Sequence, residues 1–62
     1  MKLLELIQAN KGAMFALRSE SLNSEIWFDD VGEPRDWEED VPISLGIDDW
    51  HADDWELMGI IE

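Results

Sequence analysis

Cysteine is absent from this chain, so no disulfide, thiolate nucleophile or cysteine metal site can hold it together. Positive charge is nearly as scarce: four Lys plus Arg stand against 16 Asp plus Glu, a net charge of −12. That excludes direct binding to DNA, RNA or an anionic membrane surface, each of which needs a basic face to meet phosphate. No apolar run is long enough to span a bilayer, and no basic segment leads into an apolar one in the manner of a secretory signal. A cytoplasmic location is the default expectation.

Catalytic groups are equally thin. Ser19, Ser21, Ser24 and Ser44 sit in no nucleophile elbow, and a single histidine supports no triad. No glycine-rich loop is present to cradle phosphate. Paired carboxylates are plentiful, but acid/base work needs two of them in distinct environments within a cleft, which a 62-residue chain has little volume to build. His51 lies among Asp48, Asp49, Asp53 and Asp54. It has no second His or Cys beside it, and the acids miss the alternate-position spacing of a calcium loop. The reading is a non-enzyme with no cofactor and no metal.

What is present is enough apolar material to fold: 45% of residues are hydrophobic and four are Trp, too many for a solvating acidic tail. A domain this small buries only roughly 60% of the surface that its unfolded chain exposes. A homodimer, or a host protein covering some of the Trp surface, is therefore a reasonable expectation.

The charge is unevenly placed. Residues 1–24 carry Lys2, Lys11 and Arg18 against Glu5 and Glu20, whereas residues 25–56 carry thirteen acids against Arg35 alone. Any electrostatic function belongs to the second half.

Leu3, Leu4, Leu6 and Ile7 form a stripe at helical spacing from about Lys2 to Ala9, stopped by Asn10, Lys11 and a left-handed Gly12. The period then changes. Ala13 to Glu20 reads as a strand with Ala13, Phe15 and Leu17 on one side, and Ser19 to Ser24 as a turn. Glu25 to Asp30 alternates, Ile26 and Phe28 facing one way and Glu25, Trp27 and Asp29 the other, which completes a hairpin. Asp30 to Pro34 turns through Gly32. Asp36 to Asp40 is too acidic to be buried, and Pro42 confines any strand through Val41 and Ile43 to an edge. Ser44 is positioned to cap one helical turn through Trp50, with Asp48 and Asp49 too far along to help its dipole. Trp55 to Ile61 is the last strand. The expectation is one α+β domain, an N-terminal helix packed on a small antiparallel sheet of three or four strands.

The run Ile43 to Met58, ISLGIDDWHADDWELM, resembles the close of a family of small, mostly phage-encoded proteins that end in A-D-D-W-E and apolar residues. Ala52, Asp53, Asp54, Trp55 and Glu56 match, and the opening helix with its Lys11-Gly12 turn is similar. The family includes the Thoeris anti-defence proteins, which sequester a cyclic nucleotide signal. The resemblance implies a helix on a small antiparallel sheet, a phage origin, a location in the host cytoplasm, and an alternative function as an oligomeric module that encloses a nucleotide-like molecule. Family members are longer, and where many have basic and aromatic residues after the first helix this chain has Phe15, Ala16, Leu17 and Arg18. No ligand-binding residue is carried over.

The residues themselves point to nucleic-acid mimicry. In an extended segment, alternate side chains recur at about 6.6 to 7 Å, comparable to phosphate spacing, so Asp36, Glu38 and Asp40 would form a row of like charges. Asp29, Asp30, Glu39, Asp48, Asp49, Asp53 and Asp54 would extend it. The function expected is a small acidic inhibitor, phage-encoded, that blocks a basic nucleic-acid-binding or defence protein of the host with carboxylates in place of phosphates. A solvated acidic face that only confers solubility is the bland competitor. Among the tryptophans, Trp55, Trp27 and Trp50 are expected in the core. Trp37, among acids, is expected exposed as an interface anchor.

Overall fold

The computed structural model describes residues 1–61. Helix α1 spans Leu3–Ala9, strands β1 and β2 span Met14–Ser19 and Ser24–Phe28, and β3 is the short Pro34–Asp36. A one-turn helix α2, Ile47–His51, precedes β4, Trp55–Ile61. The four strands form one antiparallel sheet in the order β3-β2-β1-β4. This is an α+β fold with an N-terminal helix on a four-stranded sheet.

Local chemistry sets the elements. The Glu5 carboxylate accepts from the Lys2 N–H (3.1 Å), closing the start of α1, and the Asn10 side-chain amide donates to the Leu6 carbonyl (2.8 Å) at its end. Gly12, at φ 89°, then reverses the chain. Asn23 supplies the left-handed residue of the β1–β2 turn, at φ 50°. The β2–β3 turn is built around Asp29, whose carboxylate accepts from the N–H groups of Val31 (3.1 Å) and Glu33 (2.9 Å).

Phe15 and Leu17 from β1, Ile26 and Phe28 from β2, Trp55 from β4, and Leu3 and Leu6 from α1 form the core on one face of the sheet. Ile43, Leu45 and Ala52 pack against it from the chain between β3 and β4. Phe15 stacks on Phe28 with ring centroids 5.2 Å apart. Trp55 is 1% exposed, and its indole N–H donates to the Asp49 carbonyl (2.8 Å), so its polar atom is satisfied inside the core.

Two tryptophans depart from expectation. Trp27 is half-buried and lies outside the core cluster, opposite Ala16 and Arg35 on the other face of the sheet. The period-two rule requires this once Ile26 and Phe28 point inward. Trp50 is 40% exposed because α2 is a single surface turn, and Trp55 fills the space beneath the sheet. Trp37, at 42%, is exposed as its acidic neighbours predicted.

Three local expectations also change. The helical turn starts at Gly46 rather than Ser44, because Asp49 reaches back to accept from the Gly46 N–H (2.7 Å). Asp48 and Asp49 therefore lie in its first turn, where negative charge is favourable. Val41 and Ile43 form no regular strand: Pro42 makes a single bridge to Arg35, flanked by bonds from Asp36 N–H to the Val41 carbonyl and from Ile43 N–H to the Pro34 carbonyl. Among the described residues no helix is long and apolar enough to cross a membrane.

Candidate partner-binding surface

Antiparallel order brings four strand ends together: the C-terminal ends of β1 and β3 and the N-terminal ends of β2 and β4. The pairings Arg18 with Glu25, Arg18 with Glu56, Ser19 with Trp55, and Ile26 with Asp36 fix that end in detail. It carries Glu20, Glu25, Asp36, Glu38, Asp54 and Glu56. A groove of about 240 Å³ is lined by Asn23, Ser24, Glu25, Asp36 and Glu38. A neighbouring one of about 210 Å³ shares Asn23, Ser24 and Glu25 and adds Arg18, Ser19 and Glu20.

The projected row of Asp36, Glu38 and Asp40 does not exist, because the chain leaves extended geometry at Asp36. The Asp36 carboxylate accepts from the N–H groups of Glu38 (3.1 Å) and Glu39 (2.7 Å), and Asp40, at φ 54°, donates its N–H to the Asp36 carbonyl (3.0 Å). Arg35 closes this loop, giving Nε to Asp40 Oδ1 (3.1 Å) and Nη2 to the Asp40 carbonyl (2.8 Å). Its guanidinium also lies 5.8 Å from the Trp27 ring centre and 3.9 Å from Asp29.

The candidate acids therefore fall into two groups. Asp29, Asp36, Asp40, Asp49 and Asp54 hold the chain's own turns and caps. Asp54 does most: Oδ1 accepts from the hydroxyls of Ser19 (2.7 Å) and Ser21 (3.0 Å), and Oδ2 from the Ser21 N–H (2.8 Å). The Ser19 hydroxyl first and the Ser21 amide second lower its pKa from the ordinary 3.8 to about 2. The A-D-D-W-E segment thus has folding work for Ala52, Asp54 and Trp55, while Glu56 pairs with Arg18 at 3.5 Å on the exposed surface.

Asp30, Glu38, Glu39, Asp48 and Asp53 are exposed, and among the described residues their carboxylates make no hydrogen bond or ion pair. The same holds for Glu20, Glu25 and Glu33. Of the original candidates, the largest group on one loop is Asp36, Trp37, Glu38, Glu39 and Asp40. Asp48 and Asp49 sit on α2, Asp53 and Asp54 lead into β4, and Asp29 and Asp30 lie at the opposite end of the sheet, in a groove shared with Lys11. Glu20, Glu25 and Glu56 were missing from the candidates. The hairpin register, which sets Glu25 across from Arg18, is the signal that identifies the first two.

The carboxylates at this end of the molecule outnumber its basic groups. Here Arg18 is in an exposed pair with Glu56 of little strength, the N-terminal ammonium donates to the Asp53 carbonyl, and carboxylates within a Debye length of about 8 Å at physiological salt reinforce one another's field. Among the described residues no group of three or more His, Asp or Glu side chains is arranged to hold a metal ion, and His51 is exposed. Comparison with protein-family models, curated proteins and solved structures finds no significant match to this chain.

Proposed function

We propose that the protein is a small acidic inhibitor that covers the nucleic-acid-binding surface of a basic host protein, its carboxylates standing in for phosphates, in the service of a phage. The observation that supports this reading is the concentration of exposed, unpaired carboxylates of Glu20, Glu25, Glu38 and Glu39 at one end of the sheet, beside the exposed Trp37. Such a surface speeds association with a basic groove and weakens steeply with salt. The nucleotide-sequestering alternative would have to draw on Lys2 and Lys11, since Arg18 and Arg35 already face carboxylates.

The test is retention of bacterial proteins on the immobilised protein at low salt, with separate elution by rising salt and by competitor duplex DNA. One basic nucleic-acid-binding protein released by both, and lost on replacing Glu25, Glu38 and Glu39 with Lys, is the expected result. Retention that survives the triple replacement rejects the acidic surface. Thermal stabilisation by a nucleotide, with no protein retained, transfers the function to the sequestering reading.

A further inference from the structure

The two edges of the sheet are finished differently. On the β3 side the chain folds back through Val41, Pro42 and Ile43, and a proline blocks further pairing. On the β4 side, beyond the bond from Trp55 N–H to the Met1 carbonyl, residues 57–61 have no backbone partner other than β1 among the described residues. That stretch holds no charge and no proline, and Leu57, Met58 and Ile60 are 43%, 41% and 51% exposed. A long apolar strand with an open edge is a template for another strand.

Gly59 sits in the middle of it. Its φ is not in the left-handed region, and a Cβ built there would meet nothing within 4 Å; it stands beside the β-bulge at which the β1–β4 register shifts, between the pairs Ala16–Gly59 and Leu17–Leu57. A glycine inside a strand weakens it, and marks either a bulge, as here, or a place open to close approach by another group. Gly59 pairs with Ala16, and these two small residues floor a groove of about 170 Å³ that Trp37 and Met58 also line. The groove lies on the face of the sheet away from the core. In a sheet, an aromatic side chain on the next strand covers such an edge glycine well.

We propose that β4 receives an extended, cationic segment of the partner as a fifth strand, with one large aromatic or aliphatic side chain of that segment lying over Gly59 in the groove. The occupant's charge follows from complementarity with the whole chain, which carries −12; the uncharged stretch itself begins next to Glu56, whose exposed pair with Arg18 is weak. A second copy would bring −12 against −12. This inference rests on the acidic-surface reading for the partner's charge, and adds the edge, the groove and the anchor.

The experiment uses the ¹⁵N-labelled full chain and three synthetic peptides: a lysine-flanked Val-Trp-Val, a lysine-flanked Val-Ser-Val, and a serine-flanked Val-Trp-Val. The lysine-flanked tryptophan peptide should bind about tenfold more tightly than either control, as expected for burying one aromatic side chain or losing the flanking charges. It should shift the amides of Ala16, Met58 and Gly59. Gly59→Leu, which fills the groove, should reduce its affinity to that of the serine-centred peptide while leaving Tm unchanged or raised; Gly59→Ala should do so in part. Equal binding of both lysine-flanked peptides, indifferent to Gly59→Leu, overturns the groove and leaves the acidic surface standing. Equal binding of both tryptophan peptides overturns the cationic occupant. Binding of none of the three, or a doubled sedimentation mass that Gly59→Leu abolishes, overturns the proposal as a whole.

Discussion

Asp54 illustrates how one side chain can look like surface charge in the sequence and act as a joint in the fold. Both of its oxygens are acceptors, two hydroxyls and one amide point at them, and they tie the β1–β2 turn to the residue before β4. Only a carboxylate accepts all three, because an amide or a protonated carboxyl turns one oxygen position into a donor. The depressed pKa sets the sign of the pH dependence: a group held at about 2 when folded and 3.8 when free stabilises fully above the higher value. That stabilisation is lost as pH falls through the interval between them. Asp54→Asn should therefore melt below the parent at pH 7, and the gap in Tm should close between pH 3.8 and about 2. Melting curves across that range check it; a gap that persists at pH 2 would show that the carboxylate charge is not what holds the joint. Trp55, its neighbour, was legible as core because it opens an apolar strand. Asp54 was not, since its partners Ser19 and Ser21 are more than thirty residues away in sequence.

Among the elements, α1, the β1–β2 hairpin and β4 were readable because each follows a hydrophobic period within a single window. The strand from Trp55 to Ile61 has the limits expected of it. What was not readable depended on pairing across elements. β3 is three residues, too short to show a period, and exists because Arg35 and Asp36 find partners on β2. The acidic row failed for a related reason: aspartate's short side chain reaches its own backbone, so Asp36 folds the following residues into a turn where a longer acid would have left them extended. Arg35 is the fastener of this region, joining the 36–40 loop to Trp27 and Asp29. Replacing Arg35 with Met keeps the stem but removes the guanidinium, at a cost of roughly 1 to 2 kcal/mol for its charged hydrogen bonds and ring contact. In a domain of this size that lowers Tm by about 4 to 16 °C. An Arg35→Met melting point within a degree of the parent would mean that the loop is held by Asp36 alone.

At the scale of the whole molecule, the charge that is proposed to serve binding works against folding. The protein carries −12, and much of the unpaired acid is crowded at one end of the sheet in a molecule whose extents are only 27 × 25 × 17 Å. Like charges at such spacing raise the energy of the folded state relative to an expanded chain. Raising ionic strength from about 0.01 M to 0.15 M shortens the Debye length from about 30 to 8 Å and screens this repulsion, so Tm should rise with salt; the exposed Arg18–Glu56 pair is too weak to reverse that sign. The location of the charge gives a sharper test. Replacing Glu25, Glu38 and Glu39 with Gln should raise Tm at low salt and flatten its salt dependence, while Asp30→Asn with Glu33→Gln, at the opposite end near Lys11, should do less per charge removed. Greater stability coupled to lost partner retention in the first variant is what a binding surface maintained at the expense of the fold predicts. Equal effects per charge from the two ends would instead describe a molecule whose acids are spread evenly, and the crowded end would then have no claim to be a site.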